Sequence, residues 1–156
     1  MDGLSASVVT RLVDKPKDIS EILFYETDVW MLSGLELTEI KRSTMTMEFN
    51  GTNDFEIRVS IVGESSKPTL LLCHDYMSAA CIQWRNYIKP LSEHFRLVMP
   101  DMGTYGCNSR LSGGSMPSTQ QGAEALMIEW FEKLIAVLGS QMPDKFSLMG
   151  FGNGAY

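Results

Sequence analysis

The stretch Phe146-Ser147-Leu148-Met149-Gly150-Phe151-Gly152-Asn153-Gly154 sets a short apolar run against a turn with glycine at every second position. Residues 146–149 read as a strand, and the glycines after it punctuate it sharply. The turn is not the dinucleotide fingerprint, which places two residues between its second and third glycines. Upstream, Ser118-Thr119-Gln120-Gln121 is a capping box that opens a long helix. That helix carries Met127, Trp130, Leu134, Val137 and Leu138 on one face, and Gly139 lies past its end. Phe95 to Met99 forms another strand. Before it, Ala79 to Ile88 reads as a helix with Trp84, Tyr87, Ile88 and Leu91 at inward spacings, which Pro90 breaks or restarts. Thr69-Leu70-Leu71-Leu72-Cys73 is a continuous apolar run, the pattern of a strand covered on both faces. Strand and helix therefore alternate as a parallel sheet with crossover helices requires.

The next segment toward the N-terminus has a different period. Met45, Met47 and Phe49 alternate with polar residues, as do Phe55, Ile57, Val59 and Ile61, and Asn50-Gly51-Thr52-Asn53-Asp54 lies between. Two antiparallel strands joined as a hairpin follow. Earlier still, Asp18-Ile19-Ser20-Glu21 can cap a helix to about Leu32, which Gly34 ends. Its apolar side holds Ile19, Ile22, Leu23, Val29 and Trp30. Glu21, Glu26 and Asp28 interrupt it, which favours docking against the protein body over a lipid surface. Residues 1–17 show no sustained periodicity and read as a loosely ordered arm, and residues 18–42 as helix and linker.

The whole sequence has 156 residues, 13 Lys and Arg against 19 Asp and Glu, and a net charge of −6. Without a basic run to displace counterions, nucleic acid is excluded as a partner. No secretory signal or membrane-length apolar run is visible, so a cytoplasmic location is expected. Cys73, Cys81 and Cys107 are an odd number without metal-ligand spacing, which points to neither a disulfide framework nor a metal site. No cofactor motif is found, and none is expected.

Chemistry in an open parallel sheet sits beyond the carboxyl ends of the strands. Three such ends stand out: His74-Asp75-Tyr76-Met77, the segment from Pro100-Asp101 to Arg110, and Gly150-Phe151-Gly152-Asn153-Gly154. In order and spacing, residues from about Met45 to Tyr156 resemble the N-terminal part of the α/β-hydrolase superfamily. The correspondence runs through the hairpin, the oxyanion turn after a strand, a Trp-bearing helix, a strand ending in Pro-Asp, a Gly-aromatic-Gly turn and the nucleophile elbow. By this resemblance residues 43–156 form a partial α/β-hydrolase domain ending at the elbow. A hairpin would lead into a mostly parallel sheet with flanking helices. The N-terminal helix and the elbow without serine are also similar to the branch of lipid-directed hydrolases that includes a lipase co-activator.

Two departures bear on activity. Where the resemblance places the nucleophilic serine, the chain has Gly152, which suits a strained turn and carries no nucleophile. Where a glycine usually follows the oxyanion-turn histidine, the chain has Asp75, whose charge opposes an oxyanion. The remaining oxyanion donors implied by the resemblance are the backbone N–H groups of Tyr76 and Asn153. His74, Asp75, Asp101, Gly150 and Gly154 are expected to organise the strand ends. As substitute nucleophiles, Cys107 lacks a base, Cys73 lies inside a strand, and Ser115 follows no strand. The family's acid and catalytic histidine come after the elbow, beyond residue 156. The expected function is non-catalytic binding of a lipid, an acyl ester or a partner chain that covers the last strand. The alternative is a carboxyl-ester or lipid hydrolase that depends on a C-terminal half.

Overall fold

The structure, a computed structural model, describes residues 40–75, 78–103 and 117–155. The arm expected over 1–17 and the helix expected from Asp18 to Leu32 lie outside the described residues.

Among the described residues, five strands form one mixed sheet in the order β1-β2-β4-β3-β5. β1 (Ile40–Phe49) and β2 (Thr52–Val62) are an antiparallel hairpin longer than the alternation alone marked. Its turn is tight. Asn50 and Gly51 both take positive φ, 46° and 74°, which matches the right-handed twist of the flanking strands. β2 then pairs antiparallel with β4 (Arg96–Pro100), and β4 pairs parallel with β3 (Thr69–Cys73). β5 (Ser147–Gly150) pairs parallel with β3, from Leu70 opposite Ser147 to Cys73 opposite Gly150.

Among the described residues, two helices cover the sheet on opposite faces. α1 (Ala80–Ser92) buries Ala80, Cys81, Trp84 and Ile88 against Val62, Leu70, Leu72, Leu97 and Met99. α2 (Gln120–Leu138) buries Trp130, Leu134 and Leu138 against Phe55, Ile57, Val59, Leu71, Cys73 and Val98. Odd and even positions of β3 and β4 thus feed two cores, which is why both strands read as continuous apolar runs.

Three expectations need correction. Pro90 does not break α1, which continues to Ser92. Proline there removes one N–H near the helix end, and its side chain is exposed, so the steric cost falls on a last turn in water. Tyr87 does not face inward. It is 52% exposed, with its ring edge-on to Trp84 at 6.1 Å between centroids. The cap of α2 is Thr119, whose hydroxyl accepts from the Gly122 N–H at 3.1 Å, one residue later than the box places it. Gly139 does end the helix, with φ 48°.

Candidate site at the strand ends

β3 and β5 run in one direction, so their carboxyl ends open together beside that of β4. His74 leaves β3 buried, with Nδ1 2.7 Å from the Asp75 carbonyl and Nε2 2.7 Å from the Met102 amide nitrogen. A backbone N–H can only donate, so Nε2 accepts and Nδ1 carries the proton. The ring is a neutral imidazole that ties the end of β3 to the end of β4. Burial pushes its pKa below the ordinary histidine value, against the opposing pull of Asp101, the Asp75 carbonyl and the Asp75 charge.

Asp101 leaves β4 equally buried. Its Oδ1 accepts the Ala80 N–H at 2.8 Å, and its Oδ2 lies 3.0 Å from Nη2 of Arg58. The Asp101 N–H in turn donates to the Arg58 carbonyl at 2.9 Å. Ala79, at the N-cap of α1, has no capping side chain, so the acceptor comes from another strand. Asp101 therefore fixes three elements at once.

The elbow follows β5. The Phe151 N–H donates to the Cys73 carbonyl at 3.2 Å, and a short 3-10 turn (Gly152–Ala155) returns the Gly154 N–H to the Phe151 carbonyl at 3.0 Å. Each glycine here meets a neighbour. A Cβ on Gly154 would run into the Cys73 and His74 carbonyls, and one on Gly150 into the Gly154 carbonyl and Ala155. Gly152 has φ +58°, and a Cβ there would collide with the carboxyl group of Asp75. The space into which an elbow side chain would project is occupied by that carboxylate.

His74, Asp75, Asp101, Gly150, Gly152, Gly154 and the backbone of Asn153 are thus gathered at one end of the sheet. Tyr76, Cys107 and Ser115 lie outside the described residues. Cys73 is buried within β3, and burial raises its thiol to about 12, far from a reactive thiolate. His94 is exposed. Among the described residues no three His, Cys, Asp or Glu side chains converge as a metal site. No described helix is long and apolar enough to cross a membrane.

Arg58 was not singled out by the sequence. The hairpin alternation placed it among polar residues, yet both it and Ser60 are buried, with Cys81 Sγ 3.5 Å from the Ser60 hydroxyl. The available signal was Val62 continuing the apolar run past Ile61, a sign that both faces of β2 are covered.

No protein-family model matches the chain, and no curated protein does either. Solved structures do match. The carboxylesterase CesB from Bacillus subtilis is similar with a TM-score of 0.61 at 21% identity, over 86% of this chain and 42% of that one. An epoxide hydrolase from Vigna radiata is similar with a TM-score of 0.53 at 25% identity, over 75% and 32%. A hydrolase from Pseudomonas aeruginosa is similar with a TM-score of 0.55 at 18% identity, over 71% and 36%. These are α/β-hydrolase folds, and the described elements are the N-terminal part of that fold. The chain spans about a third of the length of the solved chains it matches first.

Proposed function

We propose that this chain, the N-terminal part of an α/β-hydrolase fold, belongs to a protein that binds its ligand or partner without covalent acyl transfer at the elbow. One observation carries the reading: Gly152 offers no nucleophile, and the Asp75 carboxylate fills the volume where one would stand. A serine hydroxyl needs that volume and a base within hydrogen-bond reach. His74, the histidine at hand, has its Nδ1–H on the Asp75 carbonyl and its Nε2 on the Met102 N–H. A carboxylate beside the elbow also raises the cost of an oxyanion developing there. A lipid or neutral acyl ester remains a suitable ligand, because neither requires stabilised negative charge.

A second reading, hydrolysis, is favoured by the same carboxylate. Carboxylates serve as nucleophiles in their own right, and Asp75 stands at the position of an elbow side chain. Attack on an epoxide carbon would form a C–O bond to Asp75, break the ring C–O bond and leave an alkoxide to be protonated by water. Addition of water to the resulting ester would release a diol and restore the carboxylate. The similarity to an epoxide hydrolase and a carboxylesterase supports this reading at the level of fold.

Purified full-length protein incubated with p-nitrophenyl butyrate and with styrene oxide separates the two. The binding reading expects no turnover above the rate in buffer. Turnover that disappears in Asp75→Asn would overturn it in favour of hydrolysis.

A further inference from the structure

We propose that the hairpin tip is a site of self-modification: Asn50 deamidates through a succinimide formed with Gly51, and the carboxylate produced releases the tip from α2. The inference is independent of what the elbow binds or hydrolyses.

The sequence holds two Asn-Gly pairs, Asn50-Gly51 and Asn153-Gly154. A glycine after asparagine leaves the next backbone nitrogen unshielded by any Cβ. In the reaction the Gly51 nitrogen gives up its proton and bonds to the side-chain carbonyl carbon of Asn50, and the bond from that carbon to Nδ2 breaks to release ammonia. Water then opens the cyclic imide at one carbonyl or the other, leaving an aspartate or an isoaspartate.

The fold treats the two pairs differently. Gly51 is exposed, and a Cβ on it would meet nothing within 4 Å. The ladder closes between Phe49 and Thr52, so the Gly51 N–H lies outside it. Asn50 has φ 46°, in the left-handed region, where the next nitrogen points away from the residue's own side chain. Ring closure therefore runs through local opening of the turn, which costs least at a loop tip. At the elbow, the Gly154 N–H is donated to the Phe151 carbonyl at 3.0 Å, and Gly154 is buried against the Cys73 and His74 carbonyls. Freeing that nitrogen means dismantling the turn beside β3.

The product is out of place where Asn50 sits. The Asn50 N–H donates to Oε1 of Glu129 on α2 at 3.4 Å. Its side-chain Nδ2 is buried, and among the described residues nothing accepts from it. A carboxylate replacing that amide is held from water beside the Glu129 carboxylate, with Glu48 and Asp54 on the same hairpin. Burial and like charge both act against it, so the tip leaves α2.

The test is peptide mapping by mass spectrometry of the full-length protein held in mildly alkaline buffer, native and in urea, with isoaspartate read by enzymatic methylation. In the native protein residue 50 should convert at least about tenfold faster than residue 153, and in urea the two rates should agree within about threefold. Equal native rates, faster conversion at residue 153, or no native conversion at residue 50 over the time in which the urea-unfolded chain converts, overturns the site. Hydrogen exchange at the Phe49 and Thr52 amides reads the release. Asn50→Asp should speed it at least about fivefold, and adding Glu129→Gln should restore most of the protection. Unchanged exchange in Asn50→Asp, or loosening that Glu129→Gln does not reduce, overturns the release.

Discussion

Arg58 reaches from β2 to Asp101 at the end of β4, with Nη2 3.0 Å from Oδ2 and both side chains buried. Removing the cation alone strands a carboxylate away from water. Arg58→Ala is therefore expected to destabilise the fold by about 3–5 kcal/mol, read as a lower urea midpoint. The double variant Arg58→Met, Asp101→Leu should recover most of that loss, because it removes both charges. What it cannot recover is the cap on Ala80, about 1 kcal/mol.

Gly152→Ser tests the crowded elbow. The substitution puts a side chain at φ +58° and into the Asp75 carboxyl, so a loss of about 1–3 kcal/mol is expected. It should confer no esterase activity. Adding Asp75→Gly should return part of the stability by clearing the space, as thermal unfolding of the parent and the two variants will show. A single Gly152→Ser as stable as the parent would contradict the packing described.

The lowered pKa of His74 links stability to pH. Its folded-state value lies below the ordinary 6.5, so the unfolded chain takes up the proton first as pH falls. The contribution is complete above about pH 6.5 and is lost progressively as pH drops from there toward the folded-state value. Unfolding temperature should fall over that window, and His74→Gln should flatten the slope there. An unchanged slope in the variant would assign the dependence to other groups.

The thiols of Cys73 and Cys81 are buried, and that of Cys73 is raised to about 12. Neither should react with a disulfide reagent in the native state at neutral pH, and both should react once urea unfolds the chain. Mass mapping of the labelled peptides reads this directly.

Leu71 and Leu148 face each other in register across β3 and β5, yet only Leu71 is fully buried, while Leu148 is 55% exposed. Leu71→Ala should cost about 2–5 kcal/mol. Leu148→Lys should stay within about 0.5 kcal/mol and lower light scattering at high protein concentration. A large loss from Leu148→Lys would mean that this side of β5 is covered in solution.

The sequence made the sheet legible because its signals were local. Leu70 to Cys73 and Leu97 to Met99 are apolar at consecutive positions, and Asn50-Gly51 supplies the turn that a two-residue hairpin demands. The gathering of His74, Asp101 and the Gly150–Gly154 turn was legible through order along the chain. The partnerships were not. Arg58 and Asp101 are 43 positions apart by number, and no periodicity on β2 announces a pairing with β4. Asp75 was recognised by its charge, but its contact with Gly152 depends on where β3 and β5 sit in the sheet. Tyr87 misled because helical spacing gives a face and not the width of the surface that covers it.

The strand order also dictates when each neighbour becomes available. A ribosome delivers β3 before β4, yet β4 is what separates β3 from the finished hairpin. Leu70, Leu71 and Leu72 therefore emerge with neither flanking strand made, and the hairpin must hold its second edge open until Arg96 to Pro100 arrives. β5, the other neighbour of β3, comes later still. Nascent chains arrested between Cys73 and Arg96 would present the most apolar of the described strands bare, making that interval one that depends on chaperone protection during synthesis.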